Sequence, residues 1–311
     1  MKLFSLRVWG TRVKKAFSDR RQSPRAAAPH PQGALWGRAK VTDLLMRSPS
    51  HIALIGRTGS GKTTAAKWLV TAAITFGVKV HILDFDNEYS DLPLPRFTPP
   101  FIITSSAPLP WLLAQMERPG EGGHGIALAV ASASAASLEA VERELRAMYN
   151  DRTATAAAAR LRVLKKYIVL NNDEPPAPGI WDLSMIPDPE ERAMLSQFLA
   201  SYIVAASPGT HPSLLVIEEA GMGATQYFLR SLLYLSRRRG VRIIYISHAL
   251  PPTELIADFD LLLFDAGSIA YKLLSELRLP IPAPAGLRPG EAWWVRGTKA
   301  RKIQFPPWVK I

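Results

Sequence analysis

The sequence predicts an α/β fold with a mostly parallel sheet that is covered by helices on both faces. Short apolar runs alternate along the chain with longer segments of helical periodicity, as expected when strands and helices follow one another. The runs are apolar at nearly every position, which is typical of strands buried on both faces. With 311 residues, the chain can hold one α/β domain of about 250 residues and further segments at its ends.

The apolar runs and periodic segments give the expected elements in chain order. Strands are expected at 51–55, 78–83, 101–103, 126–130, 180–184, 214–217, 241–246 and 260–264. Helices are expected at 64–70, 137–150, 152–170 and 190–206, and in a segment that ends at 235. No internal repeat is visible in this pattern.

The first 34 residues differ in composition from the rest of the chain. Apolar residues in 1–17 recur at helical spacing opposite basic ones, which predicts an amphipathic helix suited to a membrane surface, a partner protein or DNA. The Pro- and Ala-rich segment 20–33 is typical of a linker. We therefore expect a separate segment at 1–34 and a core domain at 35–311. This domain would carry a helical insert near 132–172 and a basic C-terminal segment.

The net charge of +12 is concentrated at the two ends of the sequence. Residues 1–25 hold eight Lys or Arg against one acidic residue, and residues 271–311 hold eight against two. Basic ends on a neutral middle predict contact with a polyanion. For the N-terminal end, a solvated segment that only aids solubility is the alternative.

The composition argues against several kinds of site and targeting segment. The chain has no cysteine, so it can form neither a disulfide framework nor a Cys-ligated metal site. It has no apolar run of about 18 residues, so no transmembrane helix is expected. The first residues lack the apolar core and cleavage site of a secretory signal. We expect a cytoplasmic protein, in a bacterium or in a host cell.

Residues 56–63 match the phosphate-binding loop pattern G-x-x-x-x-G-K-[ST] between a predicted strand and a predicted helix. Glycines let the backbone turn its N–H groups inward, and the helix N-terminus adds partial positive charge behind the phosphates. Lys62 is expected to reach the β- and γ-phosphates of ATP, and the Thr63 hydroxyl to bind Mg²⁺. The residues expected to contact the nucleotide are Gly56, Arg57, Thr58, Gly59, Ser60, Gly61, Lys62, Thr63 and Thr64.

Two glutamates directly follow the predicted strand at 214–217. Active sites of open α/β sheets lie at the edge where the parallel strands end. We expect Glu218 to hold Mg²⁺ or its water, and Glu219 to orient and polarise the water that attacks the phosphate. The alternative is that both residues only begin a surface helix.

Polar residues also flank the predicted strand at 241–246. His248 follows this strand, where it could sense the γ-phosphate and relay its presence to neighbouring elements. Arg237 and Arg238 precede the strand in a run of three arginines. Such a run could simply cap a helix C-terminus. It could also supply an arginine finger to the nucleotide of a neighbouring subunit.

Five elements with polar or glycine-rich residues beside apolar runs follow one another along the chain. They are GRTGSGKTT (56–64), LDFDNEY (83–89), IWDLS (180–184), LLVIEEAG (214–221) and SRRRGVRIIYISH (236–248). In these elements and their order the chain resembles the HerA/FtsK superfamily of DNA-pumping ATPases. The sequence PGEA at 289–292 is similar to the beginning of the family's closing strand. Together the resemblance covers roughly residues 50–300.

The resemblance implies a RecA-like (ASCE) P-loop NTPase core in a homo-oligomer, a hexameric ring with ATP between subunits and double-stranded DNA through its centre. It assigns the arginine finger to Arg237, with Arg238 as the second choice. The chain departs from the family pattern at two positions. His248 stands where Gln is usual, and Glu218 stands where Asp is usual.

The length and composition favour one branch of this family. Repair motors of the HerA type have a barrel domain before the phosphate loop, segregation pumps and coupling proteins have membrane helices, and secretion ATPases are longer. A short motor is similar to the genome-packaging ATPases of tailless viruses with an internal membrane. We expect such a packaging motor to meet a capsid vertex or membrane surface through residues 1–17. The alternatives are a DNA translocase in transfer or repair and a phage assembly ATPase that acts on coat protein at a membrane.

Overall fold

The structure, a computed structural model, describes residues 50–104, 109–115, 124–132, 137–148, 152–171, 176–219, 226–265 and 287–309. The helix expected at 1–17, the linker and the domain boundary near residue 35 lie outside these residues.

A nine-stranded sheet forms the centre of the fold and confirms the predicted fold class. The strands along the chain are β1 (His51–Ile55), β2 (Lys79–Asp84), β3 (Arg96–Phe97), β6 (Gly179–Asp182), β7 (Ser213–Ile217), β8 (Val241–Ser247), β9 (Phe259–Leu263), β10 (Glu291–Arg296) and β11 (Lys299–Gln304). Their spatial order is β11-β10-β9-β1-β8-β7-β2-β6-β3. All neighbours pair in parallel except β10, which runs antiparallel to both β9 and β11. β4 (Phe101–Thr104) and β5 (Ile168–Asn171) form a separate parallel pair.

Seven α-helices and one short 3-10 helix, Thr253–Asp258, accompany the strands within the described residues. The α-helices are α1 (Lys62–Thr75), α2 (Leu109–Ala114), α3 (His124–Ser132), α4 (Leu138–Ala147), α5 (Arg152–Tyr167), α6 (Pro189–Ala206) and α7 (Gln226–Arg239). Alternate residues of β1 enter two different cores: Ile52 and Leu54 pack with α1, whereas Ala53 and Ile55 pack on the face covered by α6 and α7. The central strands β1, β7 and β8 are thus buried on both faces, which explains why they are largely apolar.

One of the expected elements was wrong in type, and another was a few residues too long. The strand expected at 126–130 is part of α3, which packs against α2, α4 and α5. This segment is rich in Ala and Leu, residues that favour a helix when neighbouring helices cover it. The helix expected at 152–170 ends at Tyr167, and the β-branched residues Ile168 and Val169 begin β5.

Within the described ranges, none of the helices combines the length and apolar character needed to cross a bilayer.

Candidate nucleotide-binding site

The phosphate loop connects β1 to α1 at the edge where the parallel strands end. Gly59 and Gly61 have φ of 76° and 101°, in the left-handed region that suits glycine. Gly61 is the N-cap of α1, so the amides of the first helical turn, from Lys62 onward, have no acceptor within the helix. This geometry gives a loop whose N–H groups can bind phosphate oxygens, as the sequence predicts.

The Lys62 side chain folds back over the phosphate loop. Its Nζ donates to the carbonyl oxygens of Gly56 at 2.8 Å and Arg57 at 2.9 Å, and the side chain is nearly buried. Burial lowers the pKa of Lys62, while the carboxylates of Glu219, Glu88 and Glu218 oppose this shift. The ammonium can exchange the two carbonyls for phosphate oxygens without leaving the loop.

Glu88 is a site residue that our sequence reasoning missed. The Thr63 hydroxyl donates to Glu88 Oε2 at 2.5 Å, so the threonine expected to bind Mg²⁺ touches this carboxylate directly. Glu88 lies in the turn after β2, a strand that pairs with β7. The signal was available, since acidic residues directly after a buried strand had already singled out Glu218 and Glu219.

A buried polar cluster holds the turn that carries Glu88. The Asp84 carboxylate accepts hydrogen bonds from the amides of Glu88 at 2.9 Å and Tyr89 at 3.2 Å. Arg96 Nη2 lies 2.7 Å from Asp182, at the end of β6, and its Nη1 lies 3.9 Å from Asp84. Residues from the motifs at 83–89 and 180–184 therefore form one hydrogen-bonded cluster, which fixes the backbone conformation at Glu88.

Glu218 is buried at the end of β7 beside the turn that contains Glu88. The Phe85 amide donates to its carboxylate at 3.4 Å, and only 5% of the residue is exposed. Burial, reinforced by the carboxylates of Glu88 and Asp84, raises the pKa of Glu218 well above its ordinary value. A cation bound among these carboxylates would relieve this cost of burial.

Glu219 and His248 form a polar bridge to the phosphate loop. His248 Nε2 lies 3.2 Å from Glu219 Oε1, and His248 Nδ1 lies 2.9 Å from the Gly56 carbonyl oxygen. Glu219 also has a φ of 45°, which is uncommon for a residue with a side chain. The predicted water-orienting and sensing residues are therefore in direct contact.

The remaining loop residues line the turn itself. Arg57 forms an ion pair with Asp265 and its amide donates to the Asp265 carbonyl oxygen at 3.0 Å. The Ser60 hydroxyl donates to the Arg57 carbonyl oxygen at 2.7 Å. Thr58 is exposed at the tip of the loop, and Thr64 is half-buried in the first turn of α1.

The turn before β10 contacts the phosphate loop from the far end of the sequence. The Gly290 amide donates to the Ser60 carbonyl oxygen at 3.0 Å. A Cβ atom on Gly61 would lie 2.6 Å from the Gly290 nitrogen, so the two backbones meet only because Gly61 has no side chain. The PGEA sequence is thus part of the wall of the site.

Arg237 and Arg238 lie away from the phosphate loop of their own chain. They are in the last turn of α7, next to the start of β8, whereas the loop lies where β1 and β8 end. The seven residues of β8 separate the two edges by about 20 Å. Arg237 Nη2 pairs with Asp258 at 2.5 Å, and the Arg238 guanidinium lies 5.8 Å from the centre of the Tyr234 ring.

One family model matches part of the chain. Residues 49–108, about a fifth of the chain, match the family model of the helicase HerA central domain. These residues contain the phosphate loop and the turn with Glu88. No curated protein sequence matches the chain significantly.

Several solved structures share the fold at low sequence identity. VirB4 of Thermoanaerobacter pseudethanolicus is 14% identical with a TM-score of 0.61, over 83% of this chain and 89% of that one. The plasmid coupling protein TrwB in complex with ADP and Mg²⁺ is 14% identical with a TM-score of 0.57, over 96% and 93%. The genome packaging NTPase B204 of Sulfolobus turreted icosahedral virus 2 is 12% identical, but its TM-score of 0.43 is too low to support an argument.

The family match includes the phosphate loop with Lys62 and Thr63, and the solved structures share the arrangement of the sheet that surrounds it. The chain therefore has the fold of the RecA-like P-loop NTPases, and its residues 49–108 are similar to the central domain of the helicase HerA.

Proposed function

We propose that this ATPase moves double-stranded DNA. The observation that carries the proposal is the match of residues 49–108 to the HerA central domain, because the matched residues include the phosphate loop and the turn with Glu88. The TrwB structures support it, since TrwB is described as a conjugative coupling protein and shares the fold over most of both chains. The concentration of basic residues towards both ends of the sequence is compatible with a polyanionic substrate.

The arrangement of side chains suggests how ATP hydrolysis is carried out. The loop amides and Lys62 bind the β- and γ-phosphates and stabilise the charge that develops there. Glu219 accepts a proton or hydrogen bond from the attacking water. His248 contacts both Glu219 and the Gly56 carbonyl oxygen, so a change at the γ-phosphate can reach the end of β8 through it.

The carboxylates around Thr63 fit Mg²⁺ bound together with phosphates. The described residues contain no cluster of three or more acidic, His or Cys side chains that would hold a metal by themselves. Mg²⁺ characteristically binds through one or two carboxylates plus phosphates and waters. Thr63, Glu88 and Glu218 supply such a partial set of hard oxygen ligands. When bound, the metal would neutralise charge on the transferred phosphoryl group.

An arginine finger would have to come from another subunit. Arg237 and Arg238 lie about 20 Å from the loop edge of their own sheet. We propose that Arg237 completes the site of a neighbour in a hexameric ring and leaves Asp258 when it does so. The test is to mix the inactive variants Arg237→Ala and Lys62→Ala and to measure ATPase activity. In a mixed ring, some interfaces combine an intact phosphate loop from one subunit with an intact Arg237 from its neighbour, so part of the activity should return. Activity that stays absent at every mixing ratio contradicts the assignment.

DNA translocation is tested by ATPase assays with duplexes of unrelated sequence. We expect stimulation by each duplex that weakens as salt rises, because the contacts are to phosphates. Displacement of a third strand or a bound protein from the duplex then shows movement along DNA. Lys62→Ala should abolish stimulation and displacement together. A purified ATPase that no duplex stimulates at low salt refutes the proposal.

Packaging of a viral genome is the finer function that we propose first, with a capsid vertex or a membrane surface as the partner of residues 1–17. DNA movement during transfer or repair is the second candidate; TrwB, which shares the fold, is described as a bacterial conjugative coupling protein. Neighbouring genes decide between them, since capsid proteins indicate packaging and a relaxase or nuclease indicates transfer. Action on coat protein is the third candidate. It predicts ATPase activity that requires residues 1–17 and a membrane and does not respond to DNA.

A further inference from the structure

Two contacts join α1 to the turn after β2, and the second lies one helical turn beyond the first. In the first contact, the Thr63 hydroxyl donates to Glu88 at 2.5 Å. Lys67 follows Thr63 by four residues, on the same face of α1, and its Nζ donates to the carboxylate of Asp91 at 3.1 Å. The Lys67 and Asp91 side chains are only 13% and 18% exposed, so this ion pair is largely shielded from water. One contact therefore lies at the nucleotide site and the other behind it.

The segment after β11 closes over this second contact. Trp308 donates its indole N–H to the same Asp91 carboxylate. Its ring lies edge-on to the Trp68 ring with 5.3 Å between the centres, and Lys67 Nζ lies 5.7 Å from the centre of the Trp308 ring. Trp68 Nε1 in turn donates to the Pro306 carbonyl oxygen at 3.0 Å. We call Lys67, Asp91 and Trp308 the C-terminal cluster.

The C-terminal cluster keeps Asp91 charged and its contacts in place. Partial burial alone would raise the pKa of Asp91, but hydrogen bonds from Lys67 and Trp308 outweigh it and lower that pKa. The carboxylate is therefore an anion at neutral pH and accepts from both partners. A shielded ion pair is weakened less by salt than an exposed one. The cluster is thus a firm connection between α1, the turn after β2 and the segment after β11.

Glu88 can serve a cation at Thr63 only while its turn stays close to α1. Water competes with the exposed hydrogen bond between Thr63 and Glu88, so this bond alone contributes little to holding the two elements together. The hydrogen bonds from the amides of the turn to Asp84 shape the turn but do not join it to α1. The C-terminal cluster does join them, since it connects Asp91, three residues after Glu88, to the second turn of α1. It therefore governs the distance between the Glu88 carboxylate and the Thr63 hydroxyl.

We propose that the C-terminal cluster is a positioning element for the metal-binding part of the nucleotide site. By holding the turn against α1, it keeps the Glu88 carboxylate within reach of a cation bound at the Thr63 hydroxyl. Trp308 acts on the site through α1 and the turn, not by contact with the nucleotide. This inference rests on the binding of nucleotide with Mg²⁺ at the phosphate loop and is independent of the proposed movement of DNA.

The test measures the affinity of the full-length protein for a non-hydrolysable ATP analogue by calorimetry, with Mg²⁺ and with a chelator instead. We expect Asp91→Asn and Trp308→Ala to weaken binding about fivefold with Mg²⁺ and to change it less than about twofold without Mg²⁺. Because the cluster acts through Glu88, the double variant Glu88→Gln/Asp91→Asn should bind as well as Glu88→Gln alone. Glu142→Gln is the matched control, because it removes a carboxylate that lies 2.7 Å from Lys165 between α4 and α5 and should change neither affinity.

Each outcome supports or overturns the inference. Equal affinities in Asp91→Asn, Trp308→Ala and the wild type overturn it and leave the nucleotide site intact. Additive losses in the double variant, or equal losses with and without Mg²⁺, show that the cluster only stabilises the fold and also overturn it. A wild type that does not bind the nucleotide overturns the proposed site itself. If Trp308→Ala does not fold, Trp308→Phe keeps a ring against Trp68 without an N–H for Asp91 and should show at least about a twofold loss with Mg²⁺.

Discussion

Replacing Gly290 by alanine should weaken the nucleotide site although this residue contacts the site only through its backbone. Gly290 has a φ of 84°, and an added Cβ would lie 2.8 Å from the Phe305 carbonyl oxygen, closer than real Cβ contacts. Phe305 in turn donates its amide to the Gly290 carbonyl oxygen at 2.8 Å. The backbone at 290 must therefore shift, and its hydrogen bond to Ser60 at 3.0 Å shifts with it.

The magnitude follows from these contacts. A left-handed φ costs an alanine about 1–2 kcal/mol of folding free energy. Loss of the two hydrogen bonds adds about 1 kcal/mol each, so we expect a total near 3–4 kcal/mol. Gly297→Ala is the matched control, because Gly297 also has a positive φ, of 54°, but no atom within 4 Å of its Cβ position. The control should lose only the backbone contribution of about 1–2 kcal/mol.

Two measurements test this reasoning. Urea unfolding should show that Gly290→Ala is less stable than Gly297→Ala by about 2 kcal/mol. Titration with a non-hydrolysable ATP analogue should show about fivefold weaker binding, which corresponds to the lost bond to Ser60 of about 1 kcal/mol. Equal stability and equal affinity in the two variants would refute the claim that the turn at Gly290 supports the phosphate loop.

The remaining predictions concern the site and the buried charges. Glu219→Gln should lower the turnover rate 10²-fold or more and change nucleotide affinity less than threefold, because its role is at the attacking water. Glu88→Gln should weaken the Mg²⁺ dependence of nucleotide binding, measured by titration at fixed nucleotide. Burial lowers the pKa of His51 to about 3 and that of His81 to about 4. The folded state keeps both neutral, so the contribution of these two histidines to the free energy of unfolding should be constant above pH 6.5 and fall below it by up to about 2.7 kcal/mol per pH unit. Asp260→Ala removes a buried anion between two arginines and should cost about 3–5 kcal/mol by denaturant titration.

Each of these predictions has a clear contrary result. A Glu219→Gln variant that loses nucleotide affinity and keeps its turnover rate would make this residue a binding group. A magnesium titration unchanged by Glu88→Gln would leave Glu88 a structural partner of Thr63. His51→Gln should halve the acid slope, and an unchanged slope would assign the acid sensitivity to other groups. An Asp260→Ala protein as stable as the wild type would show that the arginines find other partners.

The fold was predictable where local sequence and tertiary structure agree. The strand at 51–55 and the helix capped by Ser137 could be identified because apolar periodicity and capping residues mark them directly. The segment 126–130 could not, since an apolar run of five residues fits a buried strand or a buried helix equally well. Its helix is set by packing against other helices, which the sequence does not display.

The site was predictable only in part for a related reason. Lys62, Glu218, Glu219 and His248 follow strands or the phosphate loop, so the topology of a parallel sheet brings them to one edge. Gly290 is different, because its role depends on a contact with Ser60 that no local pattern indicates.

The place of β1 in the sheet has a consequence for synthesis of the chain. This strand is made first among the described strands, yet its two neighbours are β8 and β9, which follow almost 200 residues later. At 5–20 residues per second, the ribosome needs about 10–40 s to supply them. During that time β1 has two unpaired edges and an apolar sequence, a combination that favours aggregation. We therefore expect the nascent chain to depend on chaperones until its last third has emerged, and truncated products to be insoluble rather than partly active.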